Sequence, residues 1–291
     1  MSITELLFGD FNVLCQRTSL PFCKAFTTVT RTCTMVNITG SAANVSDLGE
    51  VIATFLAFLG TLIIAYRTHT KYAAVGRIEM NLMNLFYGLL LLLDIVLNIL
   101  GSNRGFIGSL YAGVLTGFFW ILFLNGFVGY QVVEDGSALS VWGILLSTSL
   151  FSFLGGYFTF GVSIGNIAMF GPAKTNSPAL FGILLIWPIV SMSLYVLLMT
   201  VLVVKQLSQR KPMLYLSLSI ALAILSFIFT IRVSDQLCMG TRSNDQKGAL
   251  PGQTLGYLTG APFGVFFGFL AYGLLFKFWF AITEGTLFIL T

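Results

Sequence analysis

Few side chains in this 291-residue sequence have the type and spacing for chemistry. Asp94 is the one carboxylate deep inside a long apolar stretch. Asn98 lies one turn later on the same helical face, and Asn125 sits in the next apolar stretch. An acid in hydrocarbon is expensive to hold charged, so its default roles are an ion site, a proton relay or the polar core of a receptor. The competing role is structural: a hydrogen bond to a neighbouring helix, with the carboxyl protonated. Pumps and transporters generally carry several such groups, and a single one favours the structural role. The sequence has one histidine, His69, which argues against hydrolases that hold a metal with several histidines. No Gly-rich phosphate loop follows a strand, no acids cluster at metal-ligand spacing, and no Ser-His pair stands out. Catalytic residues, metal ligands and a cofactor are therefore not expected, and the chain does not read as an enzyme.

The elements that carry these residues follow from composition. Hydrophobic residues make up 56% of the chain and charged residues 9%, against about 25% charged in an average soluble domain. A soluble globule of this size has too little interior for that much apolar surface. The net charge of +4 is scattered, which excludes a nucleic-acid footprint. A bilayer core needs about 20 apolar residues per helix. Seven stretches qualify: Val51–Tyr66 (starting a few residues earlier), Met80–Leu100, Phe106–Tyr130, Val141–Ile164 with an apolar tail toward Phe170, Ala179–Val204, Met213–Val233 and Leu255–Ile282. They are too long for barrel strands. The fold class is an all-α membrane protein, a bundle of seven transmembrane helices. Its parts are an amino-terminal tail over 1–48, the helical domain over 49–283 and a short tail over 284–291.

Basic residues set the orientation. Asp47 and Glu50 precede the first span, while Arg67, Lys71 and Arg77 follow it; Lys205, Arg210 and Lys211 follow the fifth. The amino terminus is expected outside or lumenal and the carboxy terminus cytoplasmic, although Glu134 and Asp135 place acids on the cytoplasmic side. The four cysteines, Cys15, Cys23, Cys33 and Cys238, all fall on the outer side, three in the tail and one between spans six and seven. An even count on the oxidising side reads as two disulfides. Three pairings are open, and each ties one tail cysteine to Cys238 if both bonds are intramolecular. The tail also holds two glycosylation sequons, at Asn37 and Asn44, with Asn37 further from the membrane.

Small residues suggest where helices approach. Gly256, Gly260, Gly264 and Gly268 recur every four residues in span seven, Gly113 and Gly117 lie in span three, and Gly161 and Gly165 in span four. Such grooves serve packing within the bundle or docking of a partner's helix. Pro188 and Pro262 are expected to kink spans five and seven. No inverted repeat is visible, which weakens a transporter. Two alternatives remain: a seven-helix receptor, which the outer tail and Asp94 suit but the short loops do not, and a channel or small-solute transporter using Asp94.

Several segments, in order, resemble the fungal chitin synthase export chaperones. These are Cys15-Gln-Arg-Thr-Ser-Leu-Pro21-Phe-Cys23, then Lys71-Tyr-Ala-Ala-Val-Gly76-Arg-Ile-Glu79, then Asn125-Gly-Phe-Val-Gly-Tyr-Gln131 running into Glu134-Asp135-Gly136-Ser-Ala-Leu-Ser140, and Lys277-Phe-Trp279 with Thr283 and Leu287. The third of these is the most specific. The resemblance implies a non-enzymatic multi-pass protein of the endoplasmic reticulum membrane, able to accompany its client to the plasma membrane. Its partners would be a chitin synthase catalytic subunit and membrane lipids, with no nucleic acid and no small-molecule substrate. It would help the synthase fold and leave for the cell surface. Client contacts are expected at the turn Glu134, Asp135 and Gly136, and along the glycine face of Gly256, Gly260, Gly264 and Gly268.

Overall fold

The computed structural model describes residues 11–26, 29, 33–35, 38–40, 43–45, 47–70, 76–99, 104–130, 136–164, 177–207, 210–241, 254–256 and 258–287. All seven apolar stretches are helices long enough to cross a membrane. Span one is Leu48–Thr70, span two Arg77–Ile99, span three Gly105–Val128, span four Ala138–Ser163, span five Pro178–Lys205, span six Lys211–Gly240 and span seven Ala261–Thr283. Their outward faces carry large apolar side chains such as Leu56, Tyr66, Leu85, Leu146, Phe153 and Leu197. This is the surface expected where lipid, not water, is the solvent.

The spans pack as an open arc. Span six packs on seven, seven on one, one on two and two on three; span three then carries both four and five. Spans five and six, which would close the ring, scarcely touch. Span three is the most enclosed, with 56% of its most apolar stretch buried. Small residues and hydroxyls make the closest contacts, as expected where hydrophobic burial does not drive helices together. A Cβ on Gly113 would stand 2.4 Å from the Ser152 carbonyl oxygen, and one on Gly155 would stand 2.5 Å from Thr116 Oγ1. Across the same seam Trp120 stacks on Phe151, and its Nε1 donates to Ser147 Oγ at 3.1 Å. Ser191 of span five donates to the Phe119 carbonyl of span three.

The amino-terminal tail packs into the bundle. Helix α1, Phe11–Arg17, and a 3-10 helix, Pro21–Ala25, sink into one end of the bundle as a plug. Phe11, Leu14, Cys15, Phe22, Cys23 and Phe26 belong to the same buried core as the spans. Phe11 packs against Phe181 of span five and stacks on Phe26. Ala25 seats on Gly108 of span three so closely that a Cβ there would be 2.5 Å from its methyl. The plug's apolar side chains have nowhere else to be buried, because a short segment cannot build a core of its own. Beyond it, β1 (Cys33–Met35) pairs in parallel with β4 (Thr254–Gly256), and β2 (Ile38–Gly40) forms a hairpin with β3 (Ala43–Val45).

Several boundaries move. Span seven begins at Ala261, not Leu255, because Thr254–Gly256 is strand; its helix continues through the expected tail to Leu287. Pro262 then lies in the first turn, where a missing N–H costs nothing, so it does not kink the span. Pro188 does perturb span five: the turn before it, Gly182–Ile186, is π-helix, which absorbs the hydrogen bond that proline cannot donate. Span six continues past a π turn into Ser234–Gly240, so Cys238 sits in the helix and not in a loop.

Candidate functional site

The plug delivers a charge to the bundle. Pro21 starts the 3-10 helix, where its fixed φ and absent N–H are tolerated. The Cys15–Cys23 disulfide ties that helix to α1. Lys24, next in sequence, points inward with its side chain 8% exposed, and Nζ lies 2.7 Å from Glu50 Oε1, 3.0 Å from Asn98 Oδ1 and 3.6 Å from Asp94 Oδ1. The Thr54 hydroxyl lies 3.1 Å from Asp94 Oδ2 and 2.7 Å from the Glu50 carbonyl, so one proton is shared between two acceptors. Asn98 Nδ2 donates to the Asp94 carbonyl. Glu50, Thr54, Asp94 and Asn98 are each 3% exposed or less, and Asp94 Oδ1 receives no hydrogen bond from the described residues. Two carboxylates therefore face one ammonium.

Asp47 organises the edge of this cluster. It caps span one: Oδ1 accepts from the Glu50 amide at 3.0 Å, and Oδ2 accepts from Thr259 Oγ1 at 2.8 Å. Burial first, and the neighbouring Glu50 charge second, raise its carboxyl above the ordinary carboxylate range. Asp47 and Glu50 thus act as buried polar groups, not as solvated flanks of the membrane segment.

A second polar site lies at the opposite end. Gly76 and Gly136 both take positive φ, +68° and +67°, where a side chain would be strained. A Cβ on Gly76 would meet Val128 Cγ1 at 3.3 Å and Trp279 Nε1 at 3.8 Å. Glu79, 1% exposed, accepts through Oε1 from the Gly136 amide at 3.0 Å and from Ser140 Oγ at 2.8 Å. Ser137 caps span four through the Ser140 amide. Segments far apart in sequence, Gly76–Glu79, Val128, Gly136–Ser140 and Trp279, thus meet at one corner. Between the two ends, Tyr272 of span seven donates to Asn84 of span two, whose Nδ2 donates to Thr68 Oγ1 of span one at 3.2 Å.

The residues singled out in the sequence are distributed as follows. Asp94 and Asn98 come together with Lys24. Asn125 is apart, its Nδ2 donating to the Ile121 carbonyl of its own helix. Gly136 lies in the corner turn, while Glu134 and Asp135 fall outside the described residues. The glycine ladder is not a single helical face. Gly256 is in β4, Gly260 is in the bend before span seven, and only Gly264 and Gly268 are helical. Span six already occupies that face: a Cβ would stand 1.9 Å from the Phe229 carbonyl at Gly260, 2.2 Å from Thr230 Oγ1 at Gly264 and 3.4 Å from Ser226 Oγ at Gly268. In span four a close approach uses Gly155 and Gly156, and Gly165 is outside the described residues. Cys15 and Cys23 are bonded, and Cys238 is also in a disulfide. The side chains of Cys33 and Asn44, and all of Asn37, are outside the described residues.

A seven-span bundle plugged by its own tail, with its buried charges answering one another, defines a polytopic membrane protein whose polar residues hold helices together. Residues 7–289 match the chitin synthase export chaperone family, and the chain belongs to that family. The family consists of export factors, not enzymes. Proteins named chitin synthase export chaperone are similar over 96% of this chain: 28% identical in Aspergillus fumigatus and 26% in Aspergillus oryzae, each covered over 84% of its length, and 26% in Neurospora crassa, covered over 78%. No solved structure matches.

Proposed function

We propose that this protein is a membrane chaperone that binds a chitin synthase catalytic subunit in the endoplasmic reticulum, lets it fold and leave for the cell surface, and so supports cell-wall chitin synthesis. Family membership across nearly the whole chain carries this reading. The plugged end, with its disulfide, is the lumenal end; the Gly76–Gly136 corner, beside the basic residues Arg67 and Arg77, is cytoplasmic. Cys33 is the one cysteine left to pair with Cys238, and that bond would reinforce the β1–β4 pairing.

Client contact belongs at the cytoplasmic corner. Glu79 fixes Gly136, the residue that follows the acids Glu134 and Asp135 in sequence. The glycine face is a poor client site, since span six fills it. The test is deletion of the gene in its host, following each chitin synthase and recovering partners in mild detergent. One synthase should be retained in the endoplasmic reticulum and should co-purify with the wild-type protein. Normal export of every synthase, with none co-purifying, would reject the proposal.

A further inference from the structure

The open arc divides into two wings. Spans six, seven, one and two form the first; spans three, four and five form the second. Each wing has its own bonds. Ser219 and Ser226 of span six donate to the Ala271 and Gly264 carbonyls of span seven at 2.8 and 2.7 Å, and Ser191 of span five donates to the Phe119 carbonyl of span three. Between the wings, span two packs on span three. At the Gly76–Gly136 corner, Glu79 of span two holds Gly136 and Ser140 at the start of span four, and the last turn of span five, Val203–Leu207, touches span seven. At the opposite end the plug lies between the wings. Its Ser19, Leu20, Pro21 and Phe22 wall that end of the cleft that spans five and six leave open.

The plug is chemically two-sided. Toward the first wing its contacts are polar. Lys24 pairs with Glu50 and Asp94 and donates to Asn98, and the Ser19 amide and hydroxyl both donate to the Thr230 carbonyl of span six, at 3.2 and 3.3 Å. Toward the second wing they are mainly apolar and close. Phe11 meets the Phe181 ring edge to face with centroids 6.2 Å apart, Ala25 seats on Gly108, and one hydrogen bond runs from Ser163 of span four to the Ala25 carbonyl at 2.7 Å. This difference decides which face gives way. When a hydrogen bond or ion pair parts and both partners reach water, water replaces what each has lost, so the net loss is modest. Apolar surface has no such replacement. We infer that the plug is a releasable clasp between the two wings. Docked, it fixes the gap between spans five and six. Parted along its polar face, it stays with spans three, four and five, and the gap widens.

The experiment measures distances by pulsed electron resonance on the full chain in nanodiscs, with spin labels on unnatural amino acids so that the cysteines stay as they are. One pair replaces the exposed Ile189 and Phe227, across the gap. Two further pairs join the exposed Arg17 of the plug to the exposed Ala179 of span five or Gln236 of span six. In the wild type the 189–227 distance should form one population. Lys24→Met should add a second, longer one, and should lengthen 17–236 while leaving 17–179 unchanged. Ser19→Ala, which removes the hydroxyl bond to Thr230 and keeps the amide bond, should do the same in a smaller fraction of molecules, and it decides should Lys24→Met not fold. Gly113→Ala is the comparison. It strains the seam between spans three and four, inside one wing, and should leave all three distances as in the wild type. A cooperative unfolding transition shows that each variant has folded. An unchanged 189–227 distance in the plug variants that fold, the same lengthening in Gly113→Ala, or a plug that parts from position 179 and stays with 236 would each overturn the inference. None of these readouts depends on the chaperone function.

Discussion

At the scale of single residues, Lys24 matters most. Removing one partner of a buried ion pair strands the other charge, at about 3–5 kcal/mol. Lys24→Met should therefore lower the thermal unfolding midpoint in detergent sharply, and adding Glu50→Gln and Asp94→Asn should restore most of it. A triple variant no more stable than Lys24→Met would show that the cluster is not what the lysine holds. Asp47 gives the second test. Its folded carboxyl titrates above the unfolded one, so the folded state binds the extra proton, and stability falls as pH rises from the ordinary carboxylate range through the raised value. Asp47→Asn keeps the cap and should flatten that pH dependence, whereas Asp47→Ala should cost about 1 kcal/mol through the lost cap. Asp94 and Asn98 were visible in the sequence as polar residues out of place. Lys24 was not, because a lysine in a tail reads as solvated. The Asp47-x-x-Glu50 spacing of a helix cap was the available signal that this stretch was more than a flank.

At the scale of elements, helix approach is set by which glycines face a backbone. Gly113→Ala should disturb the seam between spans three and four by about 1–3 kcal/mol, as overpacking does, because its Cβ meets the Ser152 carbonyl oxygen. Gly273→Ala has nothing within 4 Å, and should be neutral or slightly stabilising, since alanine is the better helix former by about 1 kcal/mol. Melting curves of the two variants in one detergent check both; equal effects would contradict the packing described. The seven helices were legible because a bilayer demands length and apolarity, and both are local properties of sequence. The glycine ladder misled because a spacing of four implies one face only if the segment is helical throughout, and Gly256 and Gly260 precede the helix. Span six's extension through Cys238 was hidden for the converse reason: past Val233 the sequence turns polar, while the helix continues.

For the whole molecule, the tail and the bundle form one unit. Non-reducing peptide mapping should find Cys15–Cys23 and a second bond, Cys33–Cys238; four alkylatable thiols would refute both. Replacing Cys15 and Cys23 with serine should cost about 2–3 kcal/mol for so short a loop, loosening the plug and with it the position of Lys24. At the other end, Glu134→Ala with Asp135→Ala should leave protein level unchanged and block synthase export, while Glu79→Ala should reduce both by freeing the turn. Wild-type export in the double variant would move client contact elsewhere. The family was legible from short segments scattered along the sequence. The meeting of three of them at one corner was not, because it depends on the order in which spans pack, which hydropathy does not encode.

The plug has a consequence in time. Residues 11–26 are the first of the described segments to leave the ribosome, yet their seat is built from parts made much later. Lys24 needs Asn98 and Asp94 of span two, Phe11 needs Phe181 of span five, and Ser19 donates its amide and hydroxyl to the Thr230 carbonyl of span six. The earliest-made segment is thus the last to settle, and its docking registers that at least six spans have been threaded. A chain stalled before span two would leave Lys24 without Asp94 and Asn98 and Phe11 without Phe181, a signature of immaturity displayed on one face of the membrane.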